Sequence, residues 1–152
     1  MRRKDKEIKD KNVIESIIKK ATVCRIALSK NNIPYIVPVI FGYKDNCLYI
    51  HSATKGKKID IIKKNNNICF ELDVDKELIE SQTPCKWSMK YYSVIGFGKA
   101  FFIDGFEEKR RALNIIMKHY SGNSHEFPEN SIKDTAIIKV EIESMTGKKF
   151  GY

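Results

Sequence analysis

No stretch of this sequence is apolar for long enough to cross a bilayer: the longest runs, such as residues 36–42, stop far short of the roughly 20 residues a spanning helix needs. Closely spaced cysteines are missing too. Cys24, Cys47, Cys69 and Cys85 are far apart, no CxxC exists, and His51, His119 and His125 fall at no metal-ligand spacing with them. This argues against a structural zinc site and leaves reduced thiols, three of them in apolar strand-like runs. Cys85 differs, as a loop thiol beside Lys86, and is a candidate for reactivity. Glycine-rich phosphate loops are also absent. Gly96 and Gly98 form a G-x-G with no third glycine and no strand-to-helix turn after it, and residues 52–58 lack the spaced glycines and terminal Ser/Thr of a Walker loop. Nor does Met1-Arg2-Arg3-Lys4 lead into an apolar core; alternating charges follow, which is not the pattern of a secretory leader, so a cytoplasmic protein is expected.

What is present points to a folded globular protein. The 152 residues are 42% apolar with clear periodicity, which suits one domain over 1–152 with residues 1–12 as a charged N-terminal arm. A domain of this size buries roughly two-thirds of the surface its unfolded chain exposes, so it needs no staples. The net charge of +9 raises nucleic acid as a partner. Its distribution argues the other way. Asp5, Glu7, Asp10 and Glu15 interleave with the first basic residues, and the remaining lysines scatter over turns and helix faces without forming a stripe, so nucleic acid is not the expected partner, and the short apolar runs leave no membrane partner expected either.

Periodicity predicts a mainly β, α+β chain. Val13, Ile14, Ile17, Ile18 and Ala21 recur at helical spacing behind a cap at Asp10 or Asn12. Strands are predicted at 23–28, 35–43, 47–51, 68–74, 91–103 and 135–142, with turns at 30–32 and 44–46 making two hairpins of a meander. Helices are predicted over 57–64 and 107–120. Six strands joined mostly by hairpins, with helices at the corners, suggest a small antiparallel barrel. Gly96 and Gly98 inside one strand mark a bulge or a close backbone approach.

Three local features bear on function. Ser52-Ala53-Thr54-Lys55-Gly56-Lys57-Lys58 joins a strand to a helix and gathers hydroxyls and lysines where free backbone N–H groups point outward. It reads either as a phosphate cradle or as a capped helix with a solvated basic face. Pro38 lies inside a strand and removes a ladder donor, so the segment near Val37 to Ile40 is either partly unpaired or bulged, with polar groups free for a flat heterocycle, or an ordinary edge. His51 stands one residue before the loop; a lone histidine is commonly structural, but here the two other features converge.

Successive blocks of the chain resemble one family. They are Arg2-Arg3-Lys4-Asp5-Lys6-Glu7-Ile8, Pro34-Tyr35-Ile36-Val37-Pro38-Val39, Leu48-Tyr49-Ile50-His51-Ser52-Ala53 with Gly56-Lys57-Lys58, and Tyr92-Ser93-Val94-Ile95-Gly96-Phe97-Gly98-Lys99-Ala100. Glu108-Lys109, Ala112-Leu113, Met117-Lys118-His119 and Thr146-Gly147-Lys148 continue the match. In order and spacing they resemble the nitroimidazole-resistance group of the flavin-binding split barrels related to pyridoxamine 5'-phosphate oxidase. The resemblance implies a six-stranded antiparallel split β-barrel with flanking helices, assembled as a homodimer with FMN near the subunit interface. It implies that the strand with Pro38 lies against the isoalloxazine, with Val37, Val39 and Ile40 offering backbone contacts to the ring, that Ser52, Lys57 and Lys58 hold the phosphate, that Ser93 approaches the flavin, and that His51 stands by the ring as the catalytic group. The implied activity is reduction of a small electron-poor acceptor such as a nitroaromatic. Ile40 and Tyr92 depart from the family pattern, where a polar residue and arginine are more usual. Two other readings stay open: a split barrel that carries flavin or haem without turnover, and a basic barrel that binds nucleic acid.

Overall fold

The computed structural model describes residues 3–152. Its strands are β1 (Glu7–Ile8), β2 (Cys24–Lys30), β3 (Ile33–Val39), β4 (Gly42–Lys44), β5 (Cys47–Ala53), β6 (Asn67–Ile79), β7 (Ser88–Ile103) and β8 (Thr135–Phe150). Its helices are α1 (Lys11–Lys20), α2 (Lys57–Ile62), α3 (Phe106–Ser121) and α4 (Glu129–Lys133). The strands form one antiparallel sheet in the order β3-β2-β6-β7-β8-β5-β4, with β1 added beside β8. Among the described residues, no helix is long and apolar enough to cross a membrane.

Local chemistry sets the short-range parts. Asn31 and Asn32 hold φ of 53° and 60°, and Asp45 and Asn46 hold 51° and 59°, the left-handed pairs that two-residue hairpins require. These turns join β2 to β3 and β4 to β5. Asp10 caps α1 by accepting the Asn12 N–H at 2.8 Å, and Ile14, Ile17 and Ile18 pack that helix on the sheet.

The sheet has eight strands where the sequence predicted six. One addition is β1, which pairs Glu7 and Ile8 of the expected arm with β8, and α1 starts within that arm at Lys11. The other comes from the predicted strand at 35–43, which breaks at Ile40 and Phe41. Its first part, β3, pairs only with β2, and its second, β4, pairs only with β5, so the expected meander does not form. The two edges of the sheet are therefore neighbours in the chain. The barrel is closed there by a covalent corner instead of a hydrogen-bonded ladder, the split barrel the resemblance implied.

That corner is pinned from α3. The backbone N–H of the fully buried Phe41 donates to the Tyr120 hydroxyl at 3.0 Å, and that hydroxyl donates to the Thr22 carbonyl at 2.9 Å. The His119 ring lies 4.5 Å from the Phe41 ring, with its Nε2 at 2.7 Å from the Ala21 carbonyl oxygen.

Inside the barrel, Ile26, Phe41, Leu48, Ile50, Phe70, Leu72, Val94, Ile138 and Val140 meet the apolar faces of α1 and α2. Each such side chain contributes about 1.5–3 kcal/mol on burial. A smaller cluster outside the barrel joins Ala112 and Leu113 of α3 and Ile132 of α4 to Ile137 of β8. Gly96 and Gly98 serve close approach: a Cβ at Gly96 would collide with the Phe70 ring, and one at Gly98 with the Glu141 carbonyl oxygen. The β7–β8 register shifts between Phe97 and Gly98, where Glu143 is the extra residue, so the predicted bulge is present. Strand β8 runs on past 142 to Phe150, and α4 is a helix the sequence did not suggest.

Candidate functional site

The break at Ile40 opens a cleft. Gly42 pairs with Tyr49 and Tyr43 with Leu48, so the same register continued would set Ile40 against His51 and Val39 against Ser52. Those pairs do not form, because β3 has turned to β2. Two unpaired edges remain, that of β3 and that of β5 beyond Tyr49.

Hairpin geometry decides which backbone groups face the cleft. Lys30 and Ile33 close a two-residue turn and exchange hydrogen bonds, so Tyr35, Val37 and Val39 also turn their N–H and C=O toward β2. Ile36 and Pro38 turn theirs to the free edge. Pro38 therefore sits in a regular ladder opposite Arg25, without a bulge, and its missing donor falls where no strand needs one. Val37 and Val39 give the cleft no backbone polar group, and their half-buried side chains pack on the core. Parity on β5, counted from the Lys44–Cys47 closing pair, sends the N–H and C=O of His51 and Ala53 into the cleft and those of Ser52 toward β8.

The cleft ends at the strand-to-helix junction. Gly56 holds φ 128°, a conformation L side chains rarely adopt, and precedes α2 as a cap without a side-chain hydrogen bond. Neither Ser52 nor Thr54 caps the helix, so its first N–H groups lack a side-chain partner. The Lys57 ammonium stands 4.8 Å from the centre of the Tyr35 ring, and Lys58 is half-buried. Among the described residues, no salt bridge engages Lys55, Lys57 or Lys58. Desolvation holds the Lys58 pKa below the usual lysine value. Desolvation, and then the Lys58 charge, hold that of His51 below the ordinary 6.5, which favours neutral imidazole at pH 7. An anion beside these groups would reverse both shifts. Free edge amides and carbonyls next to unpaired cations suit a phosphorylated planar heterocycle, the class to which FMN belongs.

Ser93 lies elsewhere. It is an almost buried residue of β7 opposite Asp73 and Lys148, whereas the rung through His51 and Ile137 meets β7 at Ile103. Ten residues of strand, on the order of 30 Å, separate the two levels. One chain thus sets Pro38 and Ile40 along the β3 side, His51 and Ser52 along the β5 side with Lys58 close enough to act on His51, and Lys57 over Tyr35, and leaves Ser93 apart. A cavity of about 410 Å³ takes in Lys57, and one of about 330 Å³ takes in Thr54. Another, of about 610 Å³, lies between α3 and the β4–β5 hairpin and touches none of the predicted residues. Sequence reasoning missed His119 and Tyr120 as the pins of the corner. His119 entered only as part of a matching block and Tyr120 only as the end of a predicted helix.

The family model for pyridoxamine 5'-phosphate oxidase matches residues 10–149. The chain belongs to that family. A candidate 5-nitroimidazole antibiotic resistance protein from Bacteroides thetaiotaomicron is 38% identical, with a TM-score of 0.85 over 95% of this chain and 86% of that one. The flavocytochrome Anf3 from Azotobacter vinelandii superposes with a TM-score of 0.85 at 16% identity, over 100% of this chain and 72% of that one. The FAD and heme binding protein from Mycobacterium smegmatis gives 0.86 at 15% identity, over 97% and 74%. These last two share the fold. No curated protein matches the chain.

Proposed function

We propose that this chain is a cytoplasmic flavin-dependent oxidoreductase that works as a homodimer, holds the FMN moiety in the cleft between β3 and β5, and reduces a small electron-poor acceptor such as a 5-nitroimidazole. The unpaired cleft carries this reading, because it sets edge backbone groups beside a helix start with unpaired lysines. Its 38% identity to the Bacteroides protein supports the acceptor class. Bound FMN supplies electron transfer between a reductant and the acceptor. The chain's own part is to hold and orient. Pro38 C=O and the backbone of His51 meet polar atoms of the ring, while Ser52, Lys57 and Lys58 hold the phosphate. The His51 side chain, on the outer face of β5, donates a hydrogen bond or a proton to the acceptor.

Dimerisation is supported by the outer sheet face. The rung Ile36-Ala27-Cys69-Phe97 and its neighbour with Ile95 carry exposed apolar side chains: Ile36 is 63% exposed, Phe97 54% and Ile95 43%. Ser93 lies on that same face, and in this reading it reaches the flavin of the second copy. The test is an anaerobic assay of the purified protein with FMN, a chemical reductant and a 5-nitroimidazole. FMN-dependent loss of the nitro absorbance is expected. A Soret band in place of a flavin spectrum would favour a haem carrier, and a colourless protein that takes up no FMN would reject the reading.

A further inference from the structure

A recess of ligand size lies apart from the flavin cleft, in the cavity of about 610 Å³ between α3 and the β4–β5 hairpin. Helix and hairpin touch at Gly42, where a Cβ would stand 2.7 Å from the carbonyl carbon and oxygen of Ile115, and the Tyr120 hydroxyl ties the same helix to Phe41. These contacts fix the two elements against each other. The cavity takes the space between the hairpin tip and α3, and the chain beyond the helix closes a further side, where Asn114 Oδ1 accepts the His125 N–H at 2.8 Å and Ser124 joins the lining. A space framed in this way is preformed.

Its walls are of two kinds. Tyr49, Ile103, Ala112 and Ile115 give an apolar floor. Around it stand the cations Lys44, Arg110, Arg111 and Lys139, against the carboxylates of Asp45 and Glu108 alone, so positive charge is in excess. Lys44 has no salt-bridge partner among the described residues. Arg110 pairs with Glu107, Arg111 with Glu108 at 2.9 Å and Lys139 with Glu141 at 2.7 Å, but these pairs are open to solvent and contribute little, so an incoming anion can share their cations. Tyr49 adds a donor. It sits directly across the ladder from Lys139, and whereas the hydroxyls of Tyr43, Tyr120 and Tyr152 find partners in the protein, that of Tyr49 has none among the described residues. Desolvation raises its pKa above the ordinary 10, so it stays a neutral donor at pH 7. A bare inorganic anion would leave the floor uncovered, and a neutral apolar molecule would leave the cations unmatched.

We propose that this cavity is a second ligand site, for a small carboxylate carried on an apolar or aromatic body. The body lies on the floor of Tyr49, Ile103 and Ile115, and the carboxylate accepts hydrogen bonds from the Tyr49 hydroxyl and Lys139, with Lys44 adding charge from the hairpin tip. The site shares no residue with the flavin cleft and does not depend on the flavin reading.

Amide NMR shift mapping of the flavin-free protein with benzoate tests it, with acetate, benzyl alcohol and inorganic phosphate as comparison probes. Benzoate is expected to move the amides of Lys44, Asp45, Tyr49 and Arg111 saturably, and to bind at least about tenfold more tightly than acetate, which lacks the apolar body, benzyl alcohol, which lacks the charge, or phosphate. Lys44→Glu is expected to weaken benzoate about fivefold and Tyr49→Phe about threefold, with FMN affinity changed by less than about twofold in both. Circular dichroism of each variant checks that the fold persists. Shifts centred on residues 52–58 would put the anion in the flavin cleft and overturn the proposal. An equal response to all the probes, no response, or unchanged benzoate affinity in both variants would overturn it as well. Because benzoate binding is read without flavin, a protein that takes up no FMN would fail the flavin reading and leave this test to be decided on its own.

Discussion

Replacing Tyr120 with Phe tests whether the barrel's split is held open by side chains. The Tyr120 hydroxyl takes the Phe41 N–H at 3.0 Å and gives its own proton to the Thr22 carbonyl at 2.9 Å. Removing it strands the amide of a residue with no exposed surface. An unsatisfied buried donor costs about 1–3 kcal/mol. Tyr120 is itself 39% exposed, so water can reach part of the gap, and the upper end of that range does not apply. The expected loss is about 1–2 kcal/mol, or roughly 3–6 °C of Tm for a chain of this size. Urea unfolding reads it as a lower midpoint at unchanged slope. Hydrogen exchange adds a local readout, since the Phe41 amide alone should lose protection beyond the global change. A loss below about 0.5 kcal/mol with that amide still protected would refute the pinning role of Tyr120.

Replacing Lys57 and Lys58 together with Ala should weaken FMN binding by roughly 1–3 kcal/mol, read by calorimetry; undiminished affinity rejects the phosphate assignment. In flavin-free protein, the His51 titration followed by NMR should fall below the ordinary 6.5, and Lys58→Met should move it upward by removing a positive neighbour. Because the unfolded chain then binds more protons than the folded one below about 6.5, this group lowers stability as pH falls through that window. His51→Ala should lower turnover with flavin still bound, and unchanged activity rules out its catalytic role. Gly96→Ala drives a Cβ into the Phe70 ring and should cost about 1–3 kcal/mol in denaturant unfolding. Phe97→Glu, on the exposed apolar rung, should convert a dimer to monomer in light scattering, and an unaltered mass would place the dimer contact elsewhere.

Much of the fold and some features of the candidate site were legible in the sequence, for local reasons. Asn and Asp pairs at 31–32 and 45–46 specify left-handed hairpin turns wherever they occur, and Asp10 ahead of an amphipathic repeat specifies a capped helix. Strand alternation marks inner and outer faces without knowledge of partners, and Gly96 and Gly98 announced a bulge because only glycine tolerates such close approach. The lysines of the 52–58 junction were visible by composition alone.

Tertiary structure decided the rest, because pairing depends on residues far away in the chain. Nothing in residues 35–43 shows that the first part joins β2 and the second β5; the break follows from Phe41 being buried and tied to Tyr120, 79 positions away. The same break assigns the cleft's backbone groups to Pro38 and His51 and withdraws those of Val37 and Val39, since ladder parity counts from the turns. Ser93 and His51 resembled parts of one site in order along the chain, yet sheet register places them some ten residues of strand apart. A residue's type and its neighbours fix its local conformation, whereas the edge it faces is set by which strands have already taken the others.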